Sequence, residues 1–307
     1  MIHHVFANCS TIGDWLSARG IQHLLRPLTV KEHFCDEPFV SQPLQELGSL
    51  DDGSCVVIGG GGLFMDYFAP LWEGIRALGS RFNYCLWGIG YCDLKAEASH
   101  PPVGVLLDVV RGSRLCVVRD DLTRRYLGSC ALLAPVVRPS VVVVDYVPSG
   151  WGVLHVDNYT TVGASAYEAM DVICRAFAAR TGRPYRQTNN RLARGGEREL
   201  AEVLKRYAGS DLIVSSALHG CIIATAMGRP VLAVSGDRKI EAFMEAAGLG
   251  EWVLNAADLE RLPTLIEVLD RQVPIREVGM RARAQNAVVA DTVKRIAIET
   301  AGVRRGS

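Results

Sequence analysis

DLIVSSALHGCIIATAMGRPVLAVSGDRKIEAFMEAAGLG, residues 211–250, reads as strand, turn, helix, strand, turn, helix. Residues 211–215 are a short apolar run, and residues 220–227 are a helical segment of small residues that Gly228, Arg229 and Pro230 stop. Residues 231–234 are a second, β-branched run. From Lys239 onward, Ile240, Phe243, Met244 and Ala247 keep helical spacing until Gly248 ends the helix. Parallel strands joined by one helix form a right-handed crossover, and as sheet neighbours they lie roughly 5 Å apart with their carboxyl ends on one crevice. His219 stands just after the first strand and Lys239 just after the second, so one ligand at that crevice could touch both. His219 also opens a helix whose free N–H groups favour an anion. Imidazole, ammonium and helix N-terminus together suggest a phosphate or carboxylate ligand. The same spacing also allows a helix-capping histidine beside a solvated lysine.

A chain of 307 residues is long enough for two domains, each with its own core. Hydrophobic content of 49% with 21% charge marks an ordered globular protein. Lys plus Arg equals Asp plus Glu at 33 each, so no global field recruits nucleic acid or an acidic membrane surface, and any anion must be held by a local cluster. The nine cysteines show no CxxC and no Cys/His spacing that would hold zinc, and no metal is expected. Most lie in apolar runs, as Cys55, Cys116 and Cys221 do, and read as reduced core residues of a cytoplasmic protein. The opening MIHHVFANCS is not a secretion signal, and the apolar stretch 130–144 is broken by Pro135, Arg138 and Pro139. The expectation is a soluble protein that can still rest at the inner face of a membrane whose lipid carries its substrate.

Earlier in the chain the same grammar repeats. Residues 4–6 form a strand running into Asn8, Gly13 and Asp14, and residues 15–25 have helical spacing. Residues 54–58 form a strand followed by Gly59 to Gly62 and then LFMD; such a run can let backbone approach a ligand as an anion nest, or mark close helix–strand packing. It is neither a Walker loop nor a dinucleotide fingerprint. Residues 84–89 end in WGIG, and residues 114–118 lead to Arg119, Asp120 and a helix over 122–127. These near-continuous apolar runs suit a parallel sheet covered on both faces, with Asp14, the glycines, Trp87 and Arg119 on its loop rim. Residues 141–144 suggest a strand before the linker PSGWG. A second α/β set starts at residues 153–156 with His155, continues through an amphipathic helix and the basic run 183–198, and ends in a long charged helix from about residue 276. The expected organisation is residues 1–148 as one domain on the acceptor side, 149–275 as a second on the donor side, and 276–307 as a helix packing across their junction.

These motifs, in this order, resemble the polysaccharide pyruvyl transferase family, of the exopolysaccharide ketal type. Asn8, Gly13 and Asp14 match its opening NxxxxGD, IGGGGLFMD (58–66) its glycine-rich motif, and LWGIG (86–90) follows in place. VVRDDLT (117–123), VLHVDNY (153–159) and SSALHG (215–220) with Lys239 complete the resemblance, which spans residue 8 to about 249. Ala217 departs from it, standing where many members carry arginine. The resemblance implies an α/β fold of two Rossmann-like domains facing across a cleft, like GT-B glycosyltransferases. It also implies transfer of a carboxyethylidene group from phosphoenolpyruvate to two sugar hydroxyls with release of phosphate, no cofactor being needed beyond that co-substrate. The donor ligands would fall on Arg119, His219 and Lys239, supported by Ser216 and Gly220. Asn8, Gly60, Gly61, Asp66 and Trp87 would lie at the acceptor side or rim.

The chemistry demands cations for a phosphate and a carboxylate, an acid for the donor's methylene carbon and a base for a hydroxyl. Arg119 can grip an anion at two points, and Lys239 offers a compact charge. His219 is the first choice as acid or as phosphate ligand, and Asp14 or His155 as base. Asp14 can equally be a helix cap, His155 a satisfied strand residue, and Arg119 with Asp120 a structural ion pair. The acceptor sugar, whether lipid-linked, nucleotide-linked or polymeric, and the oligomeric state leave no mark in the sequence. Two rivals share the fold: a glycosyltransferase using a nucleotide sugar, and a catalytically silent sugar- or nucleotide-binding relative.

Overall fold

The computed structural model describes residues 1–36, 40–51, 53–79, 81–95, 103–128, 138–148, 150–193, 196–273 and 276–303. Residues 130–137 of the broken apolar stretch, residue 149 of the linker, and Arg194 and Gly195 of the basic run lie outside them.

The first half alternates β1 (Ile2–Phe6), α1 (Ile12–Leu25), β2 (Val30–Phe34), α2 (Ser41–Gly48), β3 (Cys55–Phe64), α3 (Ala69–Leu78), β4 (Asn83–Tyr91), α4 (Val103–Gly112), β5 (Leu115–Val118) and α5 (Asp121–Leu127). The second half repeats the alternation with β6 (Val153–Val156), α6 (Tyr159–Thr181), β7 (Tyr185–Thr188), α7 (Glu197–Ala208), β8 (Leu212–Ser215), α8 (Leu218–Ala226), β9 (Val231–Ser235), α9 (Arg238–Ala246), β10 (Val253–Asn255) and α10 (Leu262–Glu267), before the last helix α11 (Arg276–Val303). Each half builds a five-stranded sheet, in the orders β2-β1-β3-β4-β5 and β7-β6-β8-β9-β10. All pairings are parallel, and both sheets have the same doubly wound order, in which the chain reverses direction beside its first strand. β8 and β9 are direct neighbours, with Val214 opposite Leu232, so His219 and Lys239 follow adjacent strand ends.

Apolar side chains explain the layers. Val56, Ile58 and Leu86 of the first sheet pack against Leu71, Trp72 and Ile75 of α3 and Leu106 and Val109 of α4. On the other face Ile2, Val57, Cys85 and Trp87 meet Ile21 and Leu25 of α1 and Val289, Val293 and Ile296 of α11. The last helix therefore returns to cover the first sheet, while also touching α8 of the second. A further core joins the halves: Phe6, Ile12, Trp15 and Leu16 lie in one cluster with Leu218, Ile222 and Leu192. The described cysteines are all unbonded, most of them buried. Among the described residues no helix is long and apolar enough to cross a membrane.

Two expectations change. Residues 141–144 are not a strand: Pro139–Val143 is a 3-10 helix packed against α1, where a Cβ on Gly20 would lie 2.0 Å from the Pro139 carbonyl oxygen. The glycines 59–62 do not form a loop either, because β3 runs through them to Phe64. A Cβ on Gly59 would meet the Trp87 carbonyl oxygen at 2.0 Å, and one on Gly60, at φ +84°, would crowd Ser17 of α1. The run marks close helix–strand packing.

Candidate active site

Two backbone seams join the carboxyl ends of the sheets. In the first, Ile12 N–H donates to Asn190 O (2.9 Å) and Leu192 N–H to Ser10 O (2.7 Å), with Thr11 and Arg191 paired antiparallel. In the second, Lys95 N–H donates to Gly236 O (3.1 Å) and Arg238 N–H to Asp93 O (3.0 Å), while the Arg238 guanidinium pairs with the Asp93 carboxylate at 3.1 Å. Beside both seams lies a cleft of about 320 Å³, lined from one half by Asn8, Asp14, Cys92 and Arg119 and from the other by Arg191, Ala217, His219 and Lys239.

The opening motif builds one wall. Asn8 Oδ1 accepts the Ser10 and Thr11 N–H groups (both 3.0 Å), a local turn that aims the N-terminus of α1, and Asn8 Nδ2 donates to Asp36 at 2.6 Å. Asp14 accepts from the Thr11 hydroxyl at 2.5 Å. Burial pushes its pKa up to about 6, against the opposing pull of that hydroxyl and of Arg119.

Arg119 follows β5, its N–H donating to Ile89 O at 2.8 Å. Its Nε donates to Asp120 (3.0 Å) and its Nη2 to the Tyr91 carbonyl (3.0 Å), which leaves Nη1 without a hydrogen-bond partner among the described residues. Asp120 in turn caps α5 by accepting from Thr123 N–H at 2.8 Å, and the Thr123 hydroxyl accepts from Tyr91 N–H at 2.8 Å. Burial opposes both charges, yet Asp120 holds Arg119 above its ordinary pKa and Arg119 holds Asp120 below its own. The pair is thus structural and also part of the cleft.

From the other half, α8 presents an N-terminus with no side-chain cap at Ala217, and His219 sits in its first turn. Neither His219 ring nitrogen has a hydrogen-bond partner among the described residues. Burial, then Arg119, then Lys239 push its pKa down to about 3, so the imidazole is neutral around pH 7. Lys239 Nζ lies 2.6 Å from Asp237 and 3.5 Å from Cys92 Sγ. Although burial opposes its charge, Cys92 and Asp237 beside it keep Lys239 above the usual lysine pKa. Asp237 is itself the cap of α9.

The motif glycines make room for these side chains. A Cβ on Gly13 would lie 2.0 Å from His219 Nδ1, one on Gly61 2.2 Å from Asp14 Oδ1, and one on Gly90 2.1 Å from the Arg119 guanidinium carbon. Each glycine therefore leaves the volume that a charged or titratable group fills.

Arg119, His219, Lys239, Asp14 and Asn8 all come to the cleft. His155 does not: its side chain is fully buried, 3.1 Å from the Tyr185 hydroxyl and against Tyr167, and burial pushes its pKa down to about 4. Trp87 also lies elsewhere, donating from Nε1 to Asn286 of α11 at 3.0 Å. Gly60 and Gly61 pack on α1. Ser216 accepts from Asn158 N–H at 2.7 Å, and Gly220 presses on Ser215, so both seat α8 without lining the cleft. Asp66 is exposed next to the lining residues Met65 and Tyr67. Sequence reading missed Cys92 and Asp36; Arg191 lies in the basic run 183–198, which can read as an exposed loop or as a contact to an anionic substrate, and only pairing with Thr11 shows where it goes. Among the described residues no three His, Cys, Asp or Glu side chains converge as metal ligands.

Several comparisons bear on this architecture. The UDP-GlcNAc 2-epimerase of Methanocaldococcus jannaschii, solved with UDP-GlcNAc and UDP, is similar over 94% of this chain and 97% of its own, with 8% identity and a TM-score of 0.55. An uncharacterized protein of Klebsiella pneumoniae subsp. pneumoniae is similar over 82% of this chain and 91% of its own, with 10% identity and a TM-score of 0.53. At such identities the likeness concerns the fold alone. No curated protein was found to match the chain in sequence. The family model described as polysaccharide pyruvyl transferase matches residues 8–238, well over half of the 307 residues and nearly all of the motifs that build the cleft. The chain belongs to the polysaccharide pyruvyl transferase family and is a polysaccharide-modifying transferase.

Proposed function

We propose that the protein transfers a carboxyethylidene group from phosphoenolpyruvate to two hydroxyls of a sugar in a cell-surface polysaccharide or its precursor, forming a pyruvate ketal and releasing phosphate. The observation that carries this reading is the meeting of Arg119 from one half with His219 and Lys239 from the other in a cleft of about 320 Å³. A small dianion suits that arrangement, since Arg119 Nη1 has no hydrogen-bond partner among the described residues, Lys239 is charged and the α8 N-terminus has no side-chain cap.

In this reading one hydroxyl oxygen bonds to the donor's central carbon while its methylene carbon takes a proton and becomes methyl. The second hydroxyl oxygen bonds to the same carbon as the C–O bond to phosphate breaks. Two hydroxyl protons are released; one ends on the methyl group and the other leaves with phosphate. Asp14, with its pKa near 6, accepts a hydroxyl proton close to neutral pH. His219 is depressed partly by the field of Arg119 and Lys239. A bound dianion offsets that field and raises the imidazole toward the range where it can hold or pass a proton.

The test is phosphate release from phosphoenolpyruvate, screened against sugar nucleotides and lipid-linked oligosaccharides. Acceptor-dependent release that His219→Ala abolishes supports the reading. Turnover of a nucleotide sugar without consumption of phosphoenolpyruvate sinks it.

A further inference from the structure

At the carboxyl ends of β6 and β7 a second cavity of about 510 Å³ opens, lined by Asp157, Tyr167, Gln187, Thr188, Asn189 and Arg206. Asn189 lines the main cleft as well, and Asn158 and Thr160 continue that wall, so the two spaces adjoin.

The walls of this cavity are already ordered. Gln187 Nε2 donates to the Tyr167 hydroxyl (3.0 Å) and to Asp157 Oδ2 (3.3 Å), and Arg206 Nη1 donates to the Gln187 backbone carbonyl at 2.7 Å. Asp157 is only 9% exposed. Its Oδ1 and the Gln187 Oε1 have no hydrogen-bond partner among the described residues. The cavity therefore offers the Asp157 and Gln187 side-chain oxygens, the Asn189 amide nitrogen, whose oxygen accepts from Arg191 N–H, and an exposed Arg206 guanidinium that gives one N–H to a main-chain carbonyl. That set suits a neutral polyhydroxyl compound better than a phosphate: the nearly buried Asp157 carboxylate repels an anion, whereas adjacent hydroxyls donate to carboxylate and amide oxygens and accept from amide and guanidinium N–H groups.

Size leads to the same ligand. At about 320 Å³ the main cleft lies at the small end of ligand pockets, with room for a three-carbon donor and one sugar ring. A longer glycan must leave it, and the wall shared through Asn189 leads into the second cavity. We propose that this cavity is a second sugar subsite, which holds the pyranose next to the one that receives the ketal. The inference rests on reading the main cleft as the place where donor and acceptor meet.

Binding of methyl lactoside against methyl galactoside, and of methyl cellobioside against methyl glucoside, is measured by calorimetry with phosphoenolpyruvate present. The proteins compared are wild type, Asp157→Asn and Gln187→Ala, each checked for folding by its melting curve. At least one disaccharide is expected to bind about tenfold more tightly than its monosaccharide, the size of one or two hydrogen bonds. That advantage is expected to shrink toward one in both variants. The subsite is overturned if neither disaccharide outbinds its monosaccharide, or if the advantage survives both substitutions. Failure of phosphoenolpyruvate itself to bind would instead count against the donor assignment, and a disaccharide advantage lost in the variants would stand apart from it.

Discussion

Gly13→Ala tests whether the two halves of the site are coupled through a single missing methyl group. The added Cβ would lie 2.0, 2.3 and 2.6 Å from three atoms of the His219 ring, whereas ordinary contact begins at 3.4 Å. The ring must then retreat by about 1.4 Å, the difference between 3.4 and 2.0 Å. Opening the domains is the other way to relieve the clash, but the bonds Ile12 N–H to Asn190 O and Leu192 N–H to Ser10 O sit beside Gly13 and resist it. Gly13 is helical, so alanine costs nothing in backbone conformation and favours the helix by up to ~1 kcal/mol. Folding should therefore be little changed while catalysis suffers, since a misplacement of about 1 Å can cost on the order of a hundredfold in rate. The assay is kcat/KM for phosphate release with any acceptor that supports turnover, alongside the melting temperature. His219→Ala and the double variant complete the cycle, read as calorimetric affinity for phosphoenolpyruvate: if Gly13 acts through the imidazole, adding Gly13→Ala to His219→Ala changes little. Wild-type turnover in Gly13→Ala, or additive losses in the double variant, would refute the reasoning.

Three further outcomes follow from the same geometry. Arg119→Met leaves the Asp120 carboxylate buried without its cation, so urea unfolding should show a loss of about 3–5 kcal/mol and calorimetry a loss of phosphoenolpyruvate binding; undiminished affinity would remove Arg119 from the site. Asp14 titrates near 6, above its unfolded value of 3.8, so the stability it contributes is present below 3.8 and lost as pH rises through 6. Asp14→Asn should then melt higher than wild type at pH 7 while turnover falls, and wild-type turnover should rise with pH around an inflection near 6; a flat profile argues against Asp14 as the base. His4 is fully buried with its pKa down at about 4, so the stability gained by keeping it neutral is full above 6.5 and lost as pH falls toward 4. The loss is about 3 kcal/mol, and His4→Gln should flatten that part of the urea-midpoint curve between pH 6.5 and 4; an unchanged slope refutes the account.

The strands easiest to read in the sequence are those buried on both faces. β8 and β9 are apolar up to a terminal serine and β6 is broken only by His155, and the three lie in the middle of their sheet or next to it. β2, with the sequence VKEHF, escaped notice because an edge strand half open to solvent keeps polar residues and loses the apolar signal. Residues 141–144 misled for the opposite reason: Val141 and Val144 are buried, but in and just after a 3-10 helix packed on α1, and among the described residues no strand pairs with them. The glycine run announced a close approach without saying to what, and the neighbours turned out to be helix α1 for Gly60 and Gly61 and the β4 backbone at Trp87 for Gly59.

For the site, local order along the chain sufficed to put His219 and Lys239 at adjacent strand ends, since one crossover of ordinary length joins β8 to β9. The same local rule failed for His155 and Trp87, because alternate residues of a strand point to opposite faces and only packing decides which face meets the cleft. His155 faces Tyr185 and Tyr167, and Trp87 faces Asn286 of a helix far away in sequence. By itself, then, the sequence determined the alternation of strands and helices, the family and the cationic residues at strand ends, all of which arise from short-range patterns. Only the tertiary structure decided that Arg119 meets His219 from the other half, that Gly13 makes room for that imidazole, and that Arg191 and Cys92 join the cleft, because such contacts depend on how the two sheets dock and leave no periodic trace along the chain.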